Sequence, residues 1–221
     1  MKILIIVAMQ DELKGILNKV NYTTQFYKGF DYHLAHINNH DVIIVKTEVG
    51  KVNAAILAST FILKFKPRYV INAGIGGSLH ENLLPLTTIF ATKTAYFDVD
   101  LTCFGLPYGQ LDNMDLFFKT SKSLLHLEEN DRCGLIVSSD SFVSNIEQKE
   151  LILKHFPKAL VCDMEGASIG QVCTLLKRKY MVIRTISDVV GLKDGIMKYQ
   201  NCKEKAIDIV TNKVLNLIHT L

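Results

Sequence analysis

The chain has 221 residues, 48% hydrophobic and 21% charged, a balance that excludes both a disordered polymer and a disulfide-stapled miniprotein. Its formal charge of +3 comes from 25 basic against 22 acidic residues. The densest basic cluster, Lys177-Arg178-Lys179, is too short for a nucleic-acid footprint.

Short apolar, β-branched runs alternate with stretches of helical period, which predicts buried strands joined by crossover helices. A strand over 2–7 leads into a helix over 10–19, and Asp11 and Glu12 interrupt the apolar run before a signal-peptide core is complete. Segment 30–37 is expected to form a hairpin with strand 41–47 across Asn38-Asn39-His40, making the sheet mixed. Segment 51–66 is apolar around most of its circumference, as in a deeply buried helix or one at a subunit contact. Strands over 69–73 and 87–92 follow. The stretch from Ala95 to Asn113 lacks periodicity and mixes Phe97, Phe104, Pro107, Tyr108 and Gly109, a pattern of functional or mobile loops.

Further along, helices are expected over 115–127, 146–155 and 163–177, and strands over 132–138, 159–162 and 181–186. The last helix, 201–220, carries Ile207, Val210, Val214 and Leu217 or Ile218 at three- and four-residue steps. No Gly-, Pro- or Ser-rich linker divides the chain, so one domain over 1–221 is expected. No apolar run approaches the ~20 residues of a membrane span. Cys103, Cys133, Cys162, Cys173 and Cys202 form no C-x-x-C pair and no regular spacing, which argues against a disulfide framework or zinc site and for a reducing cytoplasm. His33, His36 and His40 cluster on the hairpin, where surface-facing histidines are a better reading than a metal site.

In open α/β sheets, ligands bind beyond the carboxyl ends of the strands. Four such ends are polar: Gln10-Asp11-Glu12, the glycine-rich turn Gly74-Ile75-Gly76-Gly77-Ser78, Ser138-Ser139-Asp140-Ser141, and Ser187-Asp188. The glycines permit close backbone approach to an anion or a sugar hydroxyl, or simply a tight turn, and they match neither a Walker motif nor a G-x-G-x-x-G helix start. Glu12 reads either as a general base or as a first-turn helix acid, and Asp188 as a catalytic acid or an N-cap. Asp163 and Glu165, two apart at the start of an apolar helix, are expected to point in different directions.

In order along the chain, AMQDEL (8–13), VGKVNAA (49–55), INAGIGG (71–77), DLTCFG (100–105) with YGQL (108–111), GLIVSSDSF (134–142), DMEGA (163–167) and RTISDV (184–189) resemble the nucleoside phosphorylase and nucleosidase superfamily. The resemblance is to its 5′-methylthioadenosine/S-adenosylhomocysteine nucleosidases and covers nearly the whole chain. It implies a mixed, partly closed β-sheet flanked by helices, and hydrolysis of an adenine thionucleoside without cofactor or metal. It also implies that Asp188, oriented by Ser187, protonates the purine, that Glu12 activates water, and that Glu165 holds the ribose beside Met164. Phe142 and the backbone of Val143 would bind adenine, while Gly76, Gly77 and Arg184 belong to site motifs. Val49, Leu101 and Phe104 would line the 5′-alkylthio pocket, with the loop near 101–108 donated by the second subunit of a homodimer.

Only four arginines occur, Arg68, Arg132, Arg178 and Arg184, and the last alone lies in a site motif, which favours water over phosphate as nucleophile. The pattern departs from the family at Ile75, usually serine, at Asp163, usually glutamate, at Asp112, usually proline, and over 190–200, where Tyr199 is the candidate aromatic cover for the 5′ group. The alternatives are a related phosphorylase or nucleosidase with another nucleoside substrate, and a non-catalytic nucleoside-binding protein.

Overall fold

The computed structural model describes residues 1–191 and 195–221, and the side chains of 1–191, 200 and 202–221. Strand β1 (Lys2–Val7) is buried on both faces, which is why it reads as an unbroken apolar run. Ile3, Ile5 and Val7 enter one core cluster, while Leu4 and Ile6 enter another. Helix α1 (Gln10–Leu17) follows, and then comes a strand the sequence reading did not place, β2 (Tyr22–Tyr27). It pairs with β3 (Phe30–Ile37) across Lys28-Gly29, both at positive φ, the backbone that matches the twist of a tight hairpin. Strand β4 (His40–Lys46) pairs with β3 across Asn38-Asn39, as expected. His33 corrects the surface reading of the histidines: it is buried, with Nδ1 2.9 Å from Thr24 Oγ1.

Helix α2 (Lys51–Phe65) buries Ala54, Leu57, Ala58, Phe61 and Ile62 and exposes Val52, Ile56 and Leu63. Strand β5 (Tyr69–Ser78) is twice as long as expected, and so takes in the glycines read as a turn. Strands β6 (Thr88–Tyr96), β7 (Phe118–Lys119), β8 (Arg132–Ser138), β9 (Ala159–Asp163) and β10 (Lys179–Val189) complete the sheet. Helices α3 (Ile146–His155), α4 (Gly166–Leu175) and α5 (Gly195–Thr220) flank it.

The helix expected over 115–127 is absent; the segment holds β7 and one 3₁₀ turn, Lys122–Leu124. Tertiary partners take its backbone groups: Ser121 N–H donates to Tyr180 O at 2.9 Å, and Phe118 O accepts from the Tyr180 hydroxyl at 2.8 Å. Propensity yields to such contacts.

The sheet order is β10-β6-β8-β9-β5-β1-β4-β3-β2, and β10 also pairs with β5. Five strands, β10, β6, β8, β9 and β5, therefore close into a ring, while β1, β4, β3 and β2 extend from it as an open wing. Closure depends on the length of β5. Its first half pairs with β1, whereas Gly77 and Ser78 pair antiparallel with Cys162 and Val161 of β9. On the opposite edge β10 follows β5 in parallel until the register shifts between Ile186 and Asp188. Ser187 and Asp188 thus lie inside a strand at a β-bulge, not after it, and bulges beside clefts commonly re-aim side chains.

Candidate active site

A cavity of about 210 Å³ opens at the carboxyl ends of β1, β5, β8, β9 and β10. Ala8, Met9 and Glu12 contribute from the β1–α1 junction, Ile75, Gly76 and Gly77 from β5, and Ser141, Phe142 and Val143 from the segment after β8. The end of β9 supplies Cys162, Asp163, Met164 and Glu165, β10 supplies Ser187 and Asp188, and Val49 stands at one side. Strand ends from both the ring and the wing therefore meet at one place, as the topology of such sheets dictates.

Glu12 occupies the first turn of α1 and is buried. Its Oε2 accepts the Ala8 and Met9 N–H groups at 3.0 Å each, and its Oε1 accepts the Ile75 N–H at 3.1 Å. The same carboxylate ties down the helix start and lines the cavity. Burial raises its pKa above the ordinary carboxylate value, against the opposing pull of the three backbone donors and of Arg184. Gly74 is required here: a Cβ built on it would lie 2.5 Å from Glu12 Oε1.

Asp188 is buried too, and burial raises its pKa, while the Ser187 hydroxyl, 2.7 Å from Oδ1, opposes the rise. Glu165 precedes α4 and accepts the Gly50 N–H at 3.0 Å through Oε1. Gly50 makes this reach with φ +108°, a backbone conformation open chiefly to glycine. Burial pushes the Glu165 carboxyl up to about 7, reinforced by the charge of Asp163 and opposed by Arg184.

The expectation that Asp163 and Glu165 diverge is not met, since both face the Arg184 guanidinium, at 2.7 and 3.9 Å. Arg184 itself does not line the cavity. It is 2% exposed and anchored beneath the floor, with Nη2 donating to Asn72 Oδ1 at 2.6 Å and Nη1 to Ile183 O at 3.1 Å. Leu101 and Phe104 also lie outside this chain's cavity, and Phe104 is 79% exposed. The side chain of Tyr199 lies outside the described residues. Asn72 and Cys162 were not singled out as site residues by sequence reasoning. Asn72 had a signal, a lone amide within the buried run Tyr69-Val70-Ile71-Asn72-Ala73; Cys162 had none.

The chain matches the model of the phosphorylase superfamily over residues 2–218. A 5′-methylthioadenosine/S-adenosylhomocysteine nucleosidase of Buchnera aphidicola is 33% identical to it over 228 residues, covering 98% of this chain and 89% of the relative. The chain belongs to this nucleosidase family of the phosphorylase superfamily. Among solved nucleosidases, the Streptococcus pneumoniae structure with a transition-state inhibitor superposes with a TM-score of 0.92 at 32% identity, covering 99% of both chains. The Colwellia psychrerythraea structure in complex with adenine gives 0.94 at 31% identity, covering all of this chain and 96% of the other. Like its relatives' sheets, the partly closed ring and helical flanks are those of the nucleoside phosphorylase fold.

Proposed function

We propose that this chain hydrolyses the N-glycosidic bond of 5′-methylthioadenosine and S-adenosylhomocysteine, releasing adenine and the thioribose. The observation that carries the reading is the convergence of buried Glu12, Glu165 and Asp188 on one cavity whose described lining contains no arginine or lysine. A departing purine needs a proton, and burial keeps the Asp188 carboxyl protonated to higher pH than an exposed aspartate, suiting it to donate one to the base. The Ser187 hydroxyl orients it. Glu12, fixed by three N–H donors, positions and deprotonates the attacking water. Glu165, with Met164 beside it, receives the ribose hydroxyls, and the surrounding carboxylates favour the positive charge that develops on the sugar.

Phe142, half exposed at the cavity rim, stacks on adenine and the Val143 backbone bonds its edge, while Gly76 and Gly77 leave the floor open to the nucleoside. Val49 begins the 5′-alkylthio pocket. We propose that Leu101 and Phe104 complete that pocket in a second copy of the chain, within a homodimer. No cofactor is needed for these steps. Among the described residues no helix is long and apolar enough to cross a membrane, and the free cysteines accord with a reducing cytoplasm as the working compartment.

A phosphorylase would need cationic side chains for a phosphate dianion. Among the described residues Arg184 alone of the arginines is near, and its charge is already matched by Asp163. Adenine release from methylthioadenosine with and without phosphate, compared with inosine and adenosine, tests the proposal. Phosphate-independent release is expected; strict phosphate dependence or inert thionucleosides would overturn it.

A further inference from the structure

The floor of the cavity holds two carboxylates competing for one guanidinium. Arg184 Nη2 donates to Asn72 Oδ1 at 2.6 Å and pairs in charge with Asp163 Oδ2 at 2.7 Å. Glu165 stands farther off, its Oε2 at 3.9 Å. Asp163 is saturated: Oδ1 takes the Ser138 hydroxyl, and both oxygens share the Gly166 N–H at 3.2 Å. The Ser138 hydroxyl in turn accepts the Ala167 N–H at 2.8 Å, so the first turn of α4 locks Asp163 against Arg184. Among the described residues Glu165 has one charge-neutral donor, the Gly50 N–H.

We propose that Asp163 is a positioning residue that holds the Arg184 guanidinium at its own carboxylate, 2.7 Å away, and so keeps it from pairing closely with Glu165, the sugar-side carboxyl, which therefore takes up a proton more readily than a fully paired one. The inference rests on the nucleosidase reading for its kinetic consequence, not for its electrostatic one. Among the described residues, the charged groups acting on Glu165 are Asp163 from β9, Arg184 from β10 and Glu12 from α1, with Asp188 of β10 lining the same cavity. From α2 comes only the Gly50 amide, because Lys51 turns away to Asp98 at 2.7 Å and Asp140 at 3.6 Å. The charges of Asp163 and, more weakly, Glu12 disfavour a further negative charge on Glu165, against the pull of Arg184. Burial of Glu165 strengthens that preference, its carboxyl being pushed up to about 7. Since the ionised form is the stronger acceptor for sugar hydroxyls, nucleoside capture weakens as pH falls through that range.

The direct test is a ¹³C NMR titration of glutamate carboxyls in the unliganded protein, with the Glu165 signal assigned through Glu165→Gln. A Glu165 midpoint between about 6 and 8 is expected in the parent, falling by at least one unit in Asp163→Asn and staying within half a unit in Asp163→Glu, which keeps the charge. A parent midpoint in the ordinary range near 4.3 overturns the proposal even if Asp163→Asn does not fold. An Asp163→Asn midpoint equal to the parent's overturns it as well. The acid limb of kcat/KM for methylthioadenosine is expected to move with the NMR midpoint. Absence of hydrolysis by the parent would instead sink the proposed reaction and leave the titration standing.

Discussion

Asp188 and Gly74 show how single residues set the chemistry of the cavity. Asp188 sits at the bulge of β10 beside the Ser187 hydroxyl, so replacing its carboxyl removes the proton but little volume. Asp188→Asn is expected to lower kcat by about 10²–10⁴-fold, the usual worth of a general acid, while binding of a nucleoside-like inhibitor stays measurable by calorimetry. Turnover equal to the parent's would remove Asp188 from that role. Gly74→Ala is a sharper case, because the new methyl would stand 2.5 Å from Glu12 Oε1 and must displace it. Steady-state kinetics should show a loss of about 10²-fold in kcat/KM, the cost of a displacement near 1 Å. Circular dichroism should report a folded protein. The acids themselves were legible in the sequence because each follows an apolar run. The role of Gly74 was not, since nothing within the stretch 71–77 says that a carboxylate from α1 would lie against it.

At the scale of elements, local chemistry and tertiary pairing divide the work. Helix α3 starts where its own residues say it should: Asn145 accepts the Gln148 N–H at 2.9 Å, and the Gln148 side chain accepts the Ser144 N–H at 2.9 Å. Asn145→Ala is expected to cost about 1 kcal/mol, lowering Tm by about 2–4 °C in a chain of this size, as read by calorimetry. An unchanged Tm would mean that packing of Ile152 alone holds the helix. By contrast, segment 115–127 carries enough apolar residues to suggest a helix, yet its backbone is taken by Tyr180 and by β6. Strand β2 escaped notice because its side chains are mostly exposed, leaving no apolar alternation to read; it is held by pairing with β3 and by Tyr27 packing against Phe61 of α2. The extension of β5 through Ser78 and of β10 through Val189 follows from their pairing with each other, which no single segment declares.

Over the whole molecule, α2 presents Val52, Ile56 and Leu63 to solvent on the face opposite its core contacts, and Phe104 stands exposed in the loop proposed to enter a second copy's pocket. Ile56→Asp is expected to shift sedimentation from dimer toward monomer and to raise KM for the thionucleoside, whose 5′ pocket would lose its second wall. A parent protein that sediments as a monomer would refute the dimer. The sequence by itself determined the alternation of strands and helices, the strand ends on which polar residues cluster, and the family to which the motifs point. These features are written locally, in apolar period and in side-chain type. Only the tertiary structure decided that five strands close into a ring, that Arg184 lies under the floor instead of in the cavity, and that Asp163 stands closer than Glu165 to its guanidinium. Those depend on register between segments more than a hundred residues apart, as Arg184 and Asn72 are, and on which of several acceptors a buried cation reaches first.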